Sequence, residues 1–358
     1  MKNYSIFLLA LFSAASVFFM ITGCGSSTTD AEASIDLKKV SDGKIPIQDV
    51  YDKIELIPLD RGPVGLPLSD LSVTEDRFFL KGGDRMILSY RQDGSLADSL
   101  NPGKPIVDYS IYKDKILDIL FPAEMCAYHL PDLLLPERRI LDTLVTPTKL
   151  ARKAERVMLL TGYKRNKDYL CEYYFDTKRY FASPGFYEFE QTGQARTFTQ
   201  RMRFLHSNDT LLLLDPASGW LWECGEFTFG FLWLDFKRRE GDTLTVTNAQ
   251  VTDQYVYYSL LLNDEEHFLF YERATRKGRL IKTTREGLSL SLGVIRNGAN
   301  YFFCPAALIS RYVSRDLLDQ KNISILDTAV GEGKDVILKC DLARRQTKAT
   351  LDSLEISK

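Results

Sequence analysis

From about Ser41 to the C-terminus the chain repeats one local motif: four to eight β-branched, aromatic or aliphatic residues, a tight-turn signal, then another such run. Residues 86–90 lead through Asp93-Gly94 into residues 95–100, and Asp-Gly supplies the positive φ angles that a two-residue hairpin needs. Residues 107–111 and 115–119 alternate apolar with polar on either side of Lys113-Asp114, a second hairpin. The fullest unit joins residues 202–206, 211–214, 219–224 and 227–234 through turns at Ser207-Asn208-Asp209 and Asp215-Pro216. Residues 254–261 pair with 267–272 and turn through 275–278 into 279–283, and residues 292–296 turn at Asn297-Gly298 into 301–304. Short loops allow only antiparallel neighbours, so the chain is all-β.

Four consecutive short antiparallel strands make one blade of a β-propeller. Of 358 residues, the first 34 contribute no strand pattern, and the other 324 divide into six units averaging 54, close to a blade of about 40 to 50 residues plus loops. The expectation is a single six-bladed propeller over residues 35–358. A seven-bladed propeller and paired β-sandwiches are the alternatives. Paired sandwiches would call for a linker, and no Pro/Gly/Ser-rich break divides the body. Helical spacing occurs once, at Ile309, Val313 and Leu317 within residues 306–318, which predicts one short helix. Residues 131–137, three leucines between prolines, fit no blade strand.

The N-terminus carries an address. Lys2 precedes an apolar stretch over residues 6–21, and Ile21-Thr22-Gly23-Cys24 ends it. A cation, a short apolar segment and small residues are the layout of a secretory signal peptide, and the tetrad resembles the bacterial lipobox. That resemblance implies cleavage between Gly23 and Cys24 and acylation of Cys24 by chains such as palmitate. Residues 1–23 are then the signal peptide and 24–34 the lipidated cysteine with a flexible tether, whose ten polar and small residues reach about 33 Å at full extension. Gly25 is not the aspartate that retains lipoproteins at an enteric inner membrane, which favours the outer membrane of the cell envelope.

Charge narrows the partners. Lys and Arg number 46 against 48 Asp and Glu, so no nucleic-acid footprint exists. Cys126, Cys171, Cys224, Cys304 and Cys340 are widely spaced, odd in number and form no CxxC pair; they read as inert core thiols.

Residues 44–59, KIPIQDVYDKIELIPL, resemble the opening of the six-bladed β-propeller lipoproteins of gut-dwelling Gram-negative anaerobes, propellers of the NHL/TolB-like kind. In that family a short strand and an acidic turn with an aromatic residue precede an Ile-Glu-aromatic-Ile-Pro-Leu strand; here Leu56 takes the aromatic position. The resemblance extends over residues 38–120. The family's Gly-x-Gly-Pro-Gly-Glu-Tyr turn is reduced to Asn101-Pro102-Gly103-Lys104-Pro105, and the resemblance carries no catalytic residues over.

Motifs of phosphate-binding loops, nucleophile elbows, HExxH zinc sites and EF-hands are absent from the sequence, and no catalytic residue, metal or cofactor is expected. Of three histidines, His206 is expected at a solvated strand end and His129 as structural. Asn263-Asp264-Glu265-Glu266-His267 offers metal-ligand atoms, but adjacent turn residues seldom converge on one ion. Tyr173, Tyr174, Phe175, Tyr180 and Phe181 around residues 176–179 could stack on sugars, though blades need such aromatics as core, as they need Trp220, Trp222 and Cys224. The basic runs Lys237-Arg238-Arg239 and Arg344-Arg345 read as solvated turns. The expected function is a noncatalytic envelope module binding glycan, peptide or protein; a polysaccharide hydrolase or lyase at the channel mouth and a structural subunit of an outer-membrane complex are the alternatives.

Overall fold

The computed structural model describes residues 33–37, 44–60, 66–141, 146–164, 167–183, 202–207, 210–219, 221–224, 229–231 and 234–343. These form six four-stranded antiparallel sheets, the blades of a propeller. Blade 1 holds Leu68–Val73, Arg77–Gly82, Met86–Arg91 and Leu96–Leu100; blade 2 holds Asp108–Tyr112, Ile116–Leu120, Glu124–His129 and Leu134–Ile140. Blade 3 holds Thr146–Ala154, Val157–Lys164, Lys167–Tyr174 and Arg179–Ser183; blade 4 holds Arg203–Ser207, Thr210–Leu214, Leu221–Cys224 and Phe229–Phe231. Blade 5 holds Leu244–Val251, Tyr255–Leu262, Glu265–Glu272 and Lys277–Ile281. Blade 6 joins both ends of the fold: Val294–Arg296, Ala299–Cys304 and Val336–Leu342 pair in turn, and Tyr51–Pro58 from the N-terminal side adds the outermost strand. The family-like opening segment is thus the strand that closes the ring.

Both faces of a blade are buried, which explains the dense apolar runs. Six hydrophobic clusters occupy the six interfaces between adjacent blades. Strand Tyr255–Leu262 shows how period-two alternation serves two interfaces. Tyr255 and Tyr257 pack toward blade 6, while Val256, Tyr258 and Leu260 pack toward blade 4. The five cysteines are buried within these clusters and unbonded to one another. Burial pushes the Cys171 thiol up to about 11 and those of Cys224 and Cys304 up to about 12, as expected of inert core thiols. Tyr173, Phe175 and Trp222 are core as well. Trp220 lies outside the described residues, as do the side chains of Tyr180 and Phe181.

Several expectations are corrected. Residues 131–137 belong to blade 2: they turn after His129 and begin strand Leu134–Ile140, whose register shifts between Leu134 and Glu137. Two leucines there stand in a strand, and the prolines sit where a turn or an outermost strand tolerates a missing N–H. Residues 306–318 form no continuous helix, because extended backbone at Val313 and Ser314 separates helix α1 (Ile309–Tyr312) from a 3₁₀ turn at Arg315–Leu317. The longer helix is α2 (Gln320–Glu332). Asp319 caps its N-terminus by accepting from the Asn322 N–H, and Gly333 ends it at φ 62°. Ala33–Asp36 forms a strand parallel to Leu234–Lys237, so residues 33 and 34, expected in the tether, already pair with the body.

Candidate functional site

The first strand of each blade lies nearest the propeller axis, where first strands from all six blades contribute to a cavity of about 1230 Å³. A first strand is an edge strand, and unpaired backbone groups beside a wet channel need partners. Side chains of neighbouring blades supply them. The Leu150 N–H donates to Asp108 Oδ2 at 2.9 Å, joining blades 2 and 3. Ser207 Oγ donates to the Val251 carbonyl and accepts from the Val251 N–H, joining blades 4 and 5. Asn248 Nδ2 donates to the carbonyls of Leu292 and Gly293 at 2.8 and 2.9 Å, and the Ile295 N–H donates to Gln250 Oε1 at 3.1 Å, joining blades 5 and 6. Arg296 donates to the Val73 carbonyl at 3.1 Å, and Tyr109 Oη to the carbonyls of Asp70 and Phe79, which ties blade 1 to both neighbours.

The cations of the cavity wall are held by partners. Arg152 makes a bidentate pair with Asp118, Nε–Oδ2 2.8 Å and Nη2–Oδ1 2.5 Å, with the two side chains 6% and 2% exposed. Its Nη1 donates to the Glu155 carbonyl at 2.8 Å, and its guanidinium lies 4.7 Å from the Phe175 ring centroid. Burial pushes the Asp118 carboxyl up, opposed by Arg152. Lys149 Nζ lies 3.1 Å from Asp108 Oδ1, and burial likewise raises the Asp108 carboxyl against the pull of Lys149. Lys153 pairs with Glu172 at 2.9 Å, Arg156 with Asp176 at 3.0 Å, and Arg296 with Asp114. Arg203 donates to the Thr247 carbonyl at 3.0 Å.

His206 is the largest departure from the sequence reading. It sits near the end of strand Arg203–Ser207 as expected, but faces the cavity, half-buried, with Nε2 3.1 Å from Ser110 Oγ of blade 2 rather than open to solvent. Burial depresses its pKa to about 4, so the ring is neutral at physiological pH. A hydroxyl beside an imidazole can suggest nucleophilic catalysis. A base this weak takes little of an alcohol's proton at neutral pH, and Ser110 is 4% exposed in mid-strand rather than on an exposed turn. The pair therefore acts as a polar joint between blades 2 and 4. Two carboxylates of the acidic turn are already occupied: Glu265 pairs with Lys282 and Glu266 with Arg311, each at 2.6 Å, while His267 reaches the Glu265 carbonyl at 2.9 Å. Among the described residues no group of three or more His, Cys, Asp or Glu is placed to hold a metal ion. His129 is exposed at a strand end. Gly23, Cys24, Arg344 and Arg345 lie outside the described residues.

No protein-family model and no curated protein matches the chain. Among solved structures, a Bacteroides fragilis protein described as exported is similar in fold at a TM-score of 0.64 and 10% identity, over 87% of this chain and 99% of that one. YCF48 bound to D1 peptide aligns at a TM-score of 0.43 and 12% identity, over 75% of this chain and 80% of that one. BamB from Moraxella catarrhalis aligns at 0.38 and 13%, over 66% and 68%. At these identities the first likeness establishes the six-bladed fold alone.

Proposed function

We propose that this chain is a lipid-anchored cell-envelope propeller that binds uncharged polar segments of a glycan or peptide in its axial cavity without turning them over. The charge-compensated wall carries this reading. Arg152, Lys149, Lys153, Arg156 and Arg296 each meet a carboxylate, so most of the wall's cations are compensated and the cavity offers mainly fixed donors and acceptors, beside the exposed charges of Arg203 and Glu223. Hydroxyl and amide ligands suit such a wall, because they exchange hydrogen bonds with water for hydrogen bonds with the protein at little electrostatic cost. The anchor rests on the lipobox-like run ending at Gly23 and Cys24.

Two measurements test it. The chain from Gly25 onward, screened against envelope glycans and peptides, is expected to bind without consuming its ligand. Arg203→Ala and Glu223→Ala, both lining the cavity, are expected to weaken that binding at least tenfold; turnover abolished by Glu223→Ala would establish an enzyme instead. In cells, Cys24→Ala is expected to release the protein from the membrane fraction, and unchanged attachment would rule out the lipid anchor.

A further inference from the structure

A propeller has two unlike faces, and the strand directions say which one the N-terminal tether leaves from. First strands run from the loops that join successive blades toward the turns that follow them, so one face carries the blade-to-blade linkers and the other these hairpin turns. Strand Leu234–Lys237 leads through residues 238–243 into the start of Leu244–Val251, and so runs toward the linker face. Ala33–Asp36 pairs with it in parallel, Ala33 to Leu234 and Asp36 to Lys237, and runs the same way. Downstream, Ile45 bridges in parallel to Thr284 in the linker between blades 5 and 6. The chain thus climbs the rim of blade 5 from hairpin face to linker face, and Ala33 is its hairpin-face end.

A second observation fixes the place on that face. At Gly278, just past the turn between the third and fourth strands of blade 5, a Cβ would stand 3.2 Å from Ile35 Cδ1, so Ile35 packs against this strand. That turn carries Arg273, Arg276 and Lys277, the last two exposed. The acids nearby include Glu272, buried and bonded to Thr275 Oγ1 at 2.6 Å, and exposed Asp253 in the neighbouring turn, and the tether itself carries Asp30 and Glu32. Arg276 and Lys277 are thus exposed cations of the turn beside the tether's exit. By contrast, α2 and the blade-to-blade loops stand on the opposite face.

We infer that the hairpin face at blade 5 rests against the anionic bilayer surface, with Arg276 and Lys277 as a second attachment beside the lipid, so that the linker face and its channel mouth point away from the membrane. This rests on the lipid anchor at Cys24 proposed above. From Cys24 to Ala33 the chain spans at most about 30 Å, little more than is needed to pass the height of a blade, so the linker face cannot be pressed to the bilayer without drawing the tether taut. Cations near a lipid anchor add attraction to an anionic leaflet.

The buried native cysteines make a site-specific test practical. Mature lipidated protein carrying Ala274→Cys on the hairpin face or Val330→Cys on α2, where Val330 is 56% exposed, is labelled with a fluorophore and bound to phosphatidylglycerol vesicles containing nitroxide headgroup lipids. Strong quenching at position 274 and little at 330 is expected. Equal quenching, or quenching at 330 alone, overturns the orientation. Arg276→Glu with Lys277→Glu is expected to lower quenching at 274 at least twofold on these vesicles and to leave it unchanged on phosphatidylcholine; no change on either removes the cationic contact. Protein that fails to float with vesicles at all overturns the anchor, and the orientation with it, by a separate readout.

Discussion

At the residue scale, His206 shows how position in the fold reverses a local reading. Beside a Ser-Asn-Asp turn the sequence suggests solvent, yet the ring points inward to Ser110 and burial lowers its pKa to about 4 from 6.5. In the unfolded chain the same ring takes a proton near pH 6.5. Between those values the unfolded state binds more protons, so stability is full above about pH 6.5 and is lost as pH falls toward 4. Melting curves should therefore show wild type losing more between pH 7 and pH 4.5 than His206→Gln does, by a few degrees; parallel losses would mean that the ring titrates normally in the fold. The cavity was not legible in the sequence. Its members, such as Asp108, Lys149, Arg203, Asn248 and Arg296, come from five blades and share no spacing. Convergence across blades is a property of ring closure, which leaves no mark in one strand.

At the scale of elements, legibility followed turn chemistry. Blades 1, 4, 5 and 6 announce themselves through Asp93-Gly94, Asp215-Pro216, Lys277-Gly278 and Asn297-Gly298. Blade 3 escaped notice because its first turn is Glu155-Arg156 and its last begins Asp176-Thr177, with no glycine or proline to punctuate the strands. Helix α2 escaped for another reason: one of its buried positions is polar, which breaks the apolar stripe. That residue, Asn322, is 4% exposed; its Oδ1 accepts from the Leu56 N–H at 2.9 Å, and its Nδ2 reaches the Ile54 carbonyl and Asp319 Oδ1. Leu56 and Ile54 belong to the outermost strand of blade 6, so one amide both satisfies a sheet edge and docks the helix over it. Asn322→Ala leaves a buried N–H and a buried carbonyl without partners, and a loss of about 1–3 kcal/mol in urea-unfolding free energy is expected. A loss no larger than that of an exposed helix substitution such as Lys321→Ala would show that water replaces the amide.

For the whole molecule, the decisive bond is between the two ends of the fold. Blade 6 takes three strands from residues 294–342 and its fourth, Tyr51–Pro58, from the other end of the chain, so the ring cannot close until nearly the whole body has been placed. The order of the sequence hides this: the opening segment precedes the first blade in the chain and completes the last in the fold. Its register places Ile54 opposite Cys340, and both side chains are buried in the cluster between blades 5 and 6. Facing residues in an antiparallel pair have Cα atoms about 4.5–5.5 Å apart, inside the range a disulfide spans. Ile54→Cys should therefore form a disulfide with Cys340 on oxidation, seen as a cross-linked peptide in non-reducing mass spectra. Because the link spans residues 54 to 340, the oxidised variant should exceed its own reduced form in stability by about 2–4 kcal/mol. Comparing redox states of one variant cancels the packing lost with the isoleucine. If the cross-link forms but the two states melt together, the N-terminal strand stays paired in the denatured chain, and closure is not what unfolding breaks.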